Sequence, residues 1–100
     1  MRVIALSTLK AFWAESPEHA DARVPLQAWY REALDADWAT PNEVKARFAS
    51  ASILRDGRVV FNIAGNKYRL VVWINYAHRV VYIRFIGTHA QYDRIDARTI

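Results

Sequence analysis

The residues best suited to chemistry lie close together near the end of the chain, at His89, Tyr92 and Asp93. Histidine is the side chain that moves protons most readily near neutral pH. If the chain forms a helical turn after Gly87, Tyr92 lies beside His89, because the two residues are three positions apart. The same spacing also fits a surface histidine that only bonds a backbone group, so the pattern leaves both interpretations open.

Positive charge is concentrated in the second half of the chain. Residues 1–54 carry six Lys or Arg against seven Asp or Glu, whereas residues 55–100 carry eight against three. Because Tyr, Trp and Phe alternate with these arginines, the region suits a polyanion, most simply nucleic acid. Arg69 has few acidic partners available, and an unpaired arginine beside amides and aromatic rings suits phosphate binding and base stacking. A solvated basic surface is the alternative.

The composition excludes several other classes of protein. The chain has 100 residues, of which 53% are hydrophobic, so we expect one folded domain over residues 1–100. It contains no cysteine, which rules out disulfides and thiolate metal sites, and its three histidines lack metalloprotease spacing, so no catalytic metal is expected. No signal peptide or membrane span is recognisable, so the expected location is cytoplasmic.

We interpret His19 and His78 as surface residues, and Trp29-Tyr30 as part of the core.

The first half predicts a short strand followed by helices. The strand ends at Ser7-Thr8, a candidate N-cap, and the spacing of Leu9, Phe12 and Trp13 predicts a helix. Ser16-Pro17 is typical of a second helix start, and Pro25 predicts either a kink or a new helix.

Further along, Thr40 and Glu43 have the spacing of a capping box, which predicts a third helix start. Residues 49–57 are predicted to be a loop. From residue 58 the hydrophobic pattern has a period of two, which predicts strands at about 58–64, 67–76 and 79–87.

The turns predict how these strands pair. A two-residue turn at Gly65-Asn66 places Asn62 opposite Arg69, and one at Ala77-His78 places Val71 opposite Arg84. One face of the sheet is then apolar and must be covered by helices, while the other is polar, aromatic and wet. The apolar face holds Val59, Phe61, Ile63, Leu70, Val72, Ile74, Val81, Ile83 and Phe85, and the second face holds Asn62, Arg69, Val71, Trp73, Asn75, Tyr82 and Arg84. The predicted fold class is α+β, with an N-terminal strand that joins the antiparallel sheet and a helical hairpin packed on it.

Four segments resemble one family of bacterial toxins. They are FNIAGNKYRLV (Phe61 to Val71), IRFIGTHAQYDRI (Ile83 to Ile95), AWYRE (Ala28 to Glu32) and ADWATP (Ala36 to Pro41). Together they are similar to the HigB family, part of the broader group with a RelE-like fold. The resemblance implies the toxin of a toxin–antitoxin pair, a metal-independent endoribonuclease that cuts mRNA in the ribosomal A site. It also implies a HigA-like helix-turn-helix antitoxin, and binding of operator DNA only through the toxin–antitoxin complex.

The resemblance also implies roles for particular residues. Arg69 matches the strand arginine that contacts the scissile phosphate, His89 is the expected acid or base, and Tyr92 is expected to orient or stack. Relatives differ in whether lysine or histidine is the base, so that assignment stays open. Expected RNA contacts are Lys67, Arg84, Asn62, Asn66 and Trp73, with Asp93 either orienting His89 or pairing with Arg94 or Arg69.

Two other functions fit the same residues. One is a non-catalytic module that binds RNA or the ribosome, and the other is an interaction subunit whose basic face binds an acidic partner. The chain has only three lysines, of which Lys67 alone lies near the expected site. Few lysines favour dependence on the ribosome, or weaker activity.

Overall fold

The computed structural model describes residues 1–100 and shows helices packed on one face of a five-stranded sheet, which confirms the α+β prediction. The strands are β1 (Arg2–Ile4), β2 (Ser52–Ile53), β3 (Arg58–Ile63), β4 (Tyr68–Asn75) and β5 (Val80–Thr88). The helices are α1 (Leu6–Glu15), α2 (Arg23–Asp35), α3 (Pro41–Arg47) and α4 (His89–Tyr92), with short 3₁₀ helices at Pro17–Ala22 and Arg55–Gly57.

The strand order across the sheet is β1-β5-β4-β3-β2. β1 pairs with β5 in parallel and the other neighbours are antiparallel, so the prediction that the first strand joins the sheet is confirmed. The prediction of an uninterrupted loop at residues 49–57 is wrong, because Ser52 and Ile53 pair with Val60 and Val59 at the sheet edge. A strand of two residues is too short to show a hydrophobic alternation.

Local sequence signals determine most of the helix starts. Ser16 caps the first 3₁₀ helix by accepting a hydrogen bond from the Glu18 amide at 3.3 Å, with Pro17 in the first position. α2 begins two residues before Pro25, so this proline lies in the first turn, where a missing N–H costs no helical hydrogen bond. The prediction of a new helix near Pro25 is confirmed.

The other two starts differ slightly from the predicted ones. Thr40 Oγ1 accepts from the Glu43 amide at 3.4 Å, as expected, but the Glu43 carboxylate accepts from the Ala39 amide at 2.6 Å, one residue earlier than a standard capping box requires. α1 begins at Leu6 without any side-chain cap, so the prediction of a cap at Ser7-Thr8 is wrong.

The β3–β4 hairpin confirms that Asn62 lies opposite Arg69. The connection is longer than the predicted two-residue turn, because pairing stops at Ile63 and Tyr68 and residues 64–67 form the loop. Ala64 and Gly65 have φ angles of +54° and +67°, a left-handed conformation that turns the chain back on itself.

The β4–β5 pairing follows the predicted register only part of the way. Asn75 to Val72 pair as expected with Val80 to Ile83, but a β-bulge at Arg84 then shifts the pairing by one residue. Val71 therefore lies opposite Phe85 and not Arg84. Ile86 packs on the main core in place of Phe85, which packs with Val71 on the second face, so the assignment of Phe85 to the apolar face is wrong.

The main core lies between the helices and the sheet. At its centre, the Phe61 ring contacts the rings of Trp29 and Phe48 at centroid distances of 5.4 and 5.1 Å. Trp29 is 3% exposed and Tyr30 packs on the same core, as predicted. His19, predicted at the surface, instead stacks on Phe12 with a centroid distance of 4.2 Å and a buried Nδ1, whereas His78 is exposed as predicted.

The second sheet face is partly covered, contrary to the prediction that it is wet. Val60 and Val71 are buried beneath Ala97 of the C-terminal segment, and Ile95 and Tyr92 pack around them. The segment after α4 therefore serves as a third, partial layer. Its few apolar side chains lie among polar ones and show no periodic pattern that would reveal this role.

A buried tyrosine joins the first 3₁₀ helix to the beginning of β4. The Tyr68 hydroxyl donates its hydrogen to the Asp21 carboxylate and also lies 3.1 Å from the Glu18 carbonyl oxygen, while Lys67 forms an ion pair with Asp21. The hydrogen bond from Lys67, followed by that from Tyr68, lowers the pKa of Asp21 below its usual value. Burial raises the pKa of Tyr68. These contacts hold the strand immediately before Arg69.

The Asp21 contacts predict a pH dependence of stability. Because the carboxyl pKa is lower in the folded protein, its contribution is fully present above the unfolded value of about 3.9 and is lost as the pH falls through the folded value. We expect Asp21→Asn to be less stable than the wild type at pH 7, and the difference to shrink towards pH 3. Urea unfolding at both pH values measures it.

The exposed Asp35, which forms no ion pair, provides the control Asp35→Asn. A difference between wild type and Asp21→Asn that stays constant from pH 7 to pH 3 would contradict a contribution from the ionised Asp21.

Candidate active site

Arg69 and His89 meet at the end of the sheet. Arg69 Nη2 lies 2.9 Å from His89 Nε2, and Arg69 Nη1 donates to Asn66 Oδ1 at 2.6 Å. A guanidinium has only donors, so Nε2 must be the acceptor, which requires a neutral imidazole with its proton on Nδ1. The contact thus presents an unprotonated nitrogen beside a fixed positive charge.

Asp93 and Tyr92 complete this cluster. The Asp93 carboxylate lies 3.5 Å from His89 Nδ1, on the side that carries the proton, and the Tyr92 ring centroid is 5.9 Å from the Arg69 guanidinium carbon. The side chains of His89 and Asp93 are 48% and 65% exposed. The cluster is therefore open to a large substrate such as a polymer chain.

A capping box positions the helix that carries His89. Thr88 Oγ1 accepts from the Gln91 amide at 3.2 Å, and the Gln91 carboxamide oxygen accepts from the Thr88 amide at 2.8 Å. This reciprocal pair fixes the first turn of α4, so that His89 projects towards β4. Thr88 and Gln91 are not among the residues predicted from the sequence, although their T-x-x-Q spacing signals such a box.

Gly87 gives the site its space. It pairs with Arg69 across the strands, so no side chain stands beside the guanidinium. A Cβ at this position would lie 2.5 Å from Phe85 Cζ and 2.7 Å from Gln91 Oε1. Any larger residue would therefore displace the carboxamide that caps α4.

The structure brings together five of the nine predicted site residues: Arg69, His89, Tyr92, Asn66 and Asp93. Asn62 lies beside this cluster, opposite Arg69 on β3. Lys67 is not part of it, because its ammonium group pairs with Asp21. Trp73 and Arg84 belong to a separate cluster with Tyr82 further along the sheet.

The arginines at the two clusters have no acidic partner, unlike the three basic side chains that form ion pairs with carboxylates. Arg47 and Arg79 form ion pairs with Glu32 and Asp37, whereas Arg69 and Arg84 form none. Their positive charge is therefore available to an anion. The structure contains no group of three or more His, Asp or Glu side chains arranged to hold a metal, and no helix long and apolar enough to cross a membrane.

Comparison with known families agrees with this geometry. Residues 22–95 match the model of the HigB toxin family, described as the RelE-like toxic component of a toxin–antitoxin system. The chain belongs to the HigB toxin family. The matched region includes β4 and α4, and therefore both partners of the Arg69–His89 contact. The family and the RelE-like architecture expected from the four sequence segments are confirmed.

Named relatives are similar over most of the chain. The mRNA interferase toxin HigB of Escherichia coli K12 is 30% identical over 99 residues, which cover 97% of this chain and 92% of the relative. The mRNA interferase HigB of Shigella flexneri gives the same identity and coverage. The mRNA interferase HigB of Escherichia coli O6:H1 is 28% identical over 72 residues, 70% of each chain.

The capping box yields a prediction about the order of α4. Thr88→Ala removes the hydroxyl that accepts from the Gln91 amide, and loss of an N-cap costs about 1 kcal/mol. We expect the Gln91 amide to exchange its hydrogen roughly five-fold faster under native conditions, measured by NMR, because that energy corresponds to this factor. Thr88→Ser keeps the hydroxyl and is the matched control. Equal exchange in wild type and Thr88→Ala would show that the cap does not hold α4.

Proposed function

We propose that this HigB toxin cleaves mRNA by attack of a ribose 2′-hydroxyl on the adjacent phosphate, at the Arg69–His89 pair. The observation that carries the proposal is the 2.9 Å contact between Arg69 Nη2 and His89 Nε2. It places a proton acceptor beside a guanidinium, the two groups that this reaction needs at one phosphodiester. The mRNA interferase names of the relatives support mRNA as the substrate.

His89 is the proposed general base. In the free protein, Nε2 accepts a hydrogen bond from Arg69, so its lone pair is occupied. A bound phosphate offers the guanidinium stronger, charge-assisted acceptors, so Arg69 shifts to the phosphate and Nε2 becomes free. Nε2 then takes the proton of the 2′-hydroxyl, while Asp93 near Nδ1 stabilises the imidazolium that forms.

Arg69 stabilises the charge that develops during the attack. The phosphorane carries more negative charge than the starting diester, and a guanidinium donates two parallel hydrogen bonds to its oxygens. The bond from phosphorus to the 5′-oxygen breaks, that oxygen takes up a proton from solvent water at this open site, and the products are a 2′,3′-cyclic phosphate and a 5′-hydroxyl. Asn66 holds the guanidinium in place, and Tyr92 stacks on a nucleotide at the cut.

The remaining predicted contacts have unequal support. Asn62 lies beside Arg69 and is placed to orient RNA. Lys67 would have to leave Asp21 before it could bind a phosphate, so we assign it a smaller contribution.

The proposed partners rest on membership of the HigB toxin family, the toxic component of a toxin–antitoxin system. A toxic nuclease must be neutralised, and we propose a HigA-like helix-turn-helix antitoxin, with operator DNA bound only by the complex of the two. The site is open and few lysines surround it, so we propose that the ribosomal A site holds the mRNA in place for cleavage. Both the substrate and the ribosome place this activity in the cytoplasm.

Removing the proposed base tests the function. We expect induced wild-type protein to arrest growth and cut mRNA, and His89→Ala to reduce cleavage by about 10²–10⁴-fold, because a general base contributes that much. Mapping of RNA ends after induction measures this. The exposed His78 lies outside the cluster, so His78→Ala is the matched control and should behave as wild type.

The phosphate contact is tested in the same way with Arg69→Ala, using Arg31→Ala as the control because Arg31 is exposed on α2. A 2′-deoxy nucleotide before the cut should also prevent cleavage at that phosphate, since the nucleophile is absent. Wild-type cleavage by Arg69→Ala would contradict the proposed site. RNA or ribosome binding without any cleavage by the wild type would identify a non-catalytic binding module instead.

A further inference from the structure

A second cluster of aromatic and cationic side chains lies on the same sheet face as Arg69. The rings of Trp73 on β4 and Tyr82 on β5 stack with a centroid distance of 5.1 Å and an angle of 27°. The Arg84 guanidinium lies over both rings, 5.8 Å from Trp73 and 5.7 Å from Tyr82. We call Trp73, Tyr82 and Arg84 the Trp73 cluster.

The β-bulge in β5 produces this arrangement. Arg84 is the extra residue at the bulge, between the pairs Val72–Ile83 and Val71–Phe85. A bulge changes the direction of a side chain, and here it lets the guanidinium lie across the two rings instead of standing opposite Val71. In a strand pair without the bulge, the Arg84 side chain would not be free to lie across the rings of Trp73 and Tyr82.

The backbone beside the cluster holds the tryptophan. A Cβ at Gly57 would lie 2.9 Å from Trp73 Nε1, so the Gly57 backbone packs directly against the indole. Gly57 has a φ of +80°, which glycine adopts without strain. The indole is therefore held by this backbone, while the Arg84 side chain in the same cluster is exposed.

The charge of the cluster is unbalanced. Arg84 forms no ion pair, and its neighbours in the cluster are uncharged at neutral pH. A planar cation on aromatic rings without an acidic partner suits a nucleotide, because bases stack on aromatic and guanidinium planes while the phosphate accepts from the arginine.

The cluster is separate from the proposed cleavage site. Trp73 lies four residues from Arg69 on the same strand, roughly 13 Å away at 3.2–3.4 Å per residue. Val71, buried beneath Ala97, lies between them. A nucleotide bound at the cluster would therefore not be one that flanks the scissile phosphate.

We propose that the Trp73 cluster is a stacking subsite for a single-stranded RNA base remote from the cut, and that it selects which positions in an mRNA are cleaved. This inference rests on the proposed nuclease function. Binding energy gained at a remote base holds the scissile phosphate at Arg69 and His89, so its loss changes the choice and yield of cleavage sites more than the chemistry.

The test compares Arg84→Ala, Arg84→Lys and Trp73→Leu with wild type and with Arg31→Ala, by mapping RNA ends in induced cells. We expect all three cluster variants to yield about ten-fold less cleavage at the strongest sites and to lose a nucleotide preference away from the cut. Arg84→Lys keeps the charge but not the planar group, so stacking requires it to resemble Arg84→Ala. Thermal unfolding checks that Trp73→Leu is folded. Because Arg84 is exposed, its two variants leave the packing of the core unchanged.

Each of the other possible outcomes contradicts the proposed subsite. Unchanged cleavage sites and yields in the Arg84 variants would overturn the subsite, as would wild-type behaviour of Arg84→Lys, which would reduce the role to charge alone. Normal cleavage by Arg84→Ala together with escape from the antitoxin would assign the cluster to a protein partner. Absence of cleavage by the wild type would instead refute the proposed function itself.

Discussion

The hydrogen bond between Arg69 and His89 is the interaction on which the account depends. It joins the beginning of β4 to the first residue of α4, and because arginine can only donate, it fixes which nitrogen of the imidazole is unprotonated. In a surface histidine without such a partner, no contact would determine which of the two ring nitrogens is unprotonated. Beside a guanidinium that also binds Asn66, the same histidine holds its unprotonated nitrogen next to a positive charge.

The rest of the fold holds these two side chains at the required distance. On the helical side, Tyr68 and Asp21 fasten the beginning of β4 to the 3₁₀ helix. On the other side, Thr88 caps α4, and Tyr92 packs over the strands with the C-terminal segment. Site residues carried on a strand and on a capped helix are held more closely than residues on free loops. The architecture common to RelE-like toxins thus positions a small reactive cluster on an otherwise open surface.

Much of this arrangement could be predicted from the sequence, since alternation of apolar residues fixes strand register. That reasoning placed Asn62 opposite Arg69, and the family resemblance selected His89 and Tyr92. The bulge could not be predicted in this way, because either Arg84 or Phe85 can lie opposite Val71 and only packing against the core decides between them.

The ion pair of Lys67 was not predicted, for a related reason. Its ion pair with Asp21 joins residues 46 positions apart, and no local pattern encodes such a contact.

The most direct test of the Arg69–His89 contact is the protonation state of His89, observed by ¹⁵N NMR of the imidazole in the free protein near pH 8. We expect a neutral ring with its proton on Nδ1 in the wild type, and the Nε2–H form in Arg69→Ala. A wild-type ring with its proton on Nε2 would contradict it, because Arg69 could not then donate to that nitrogen.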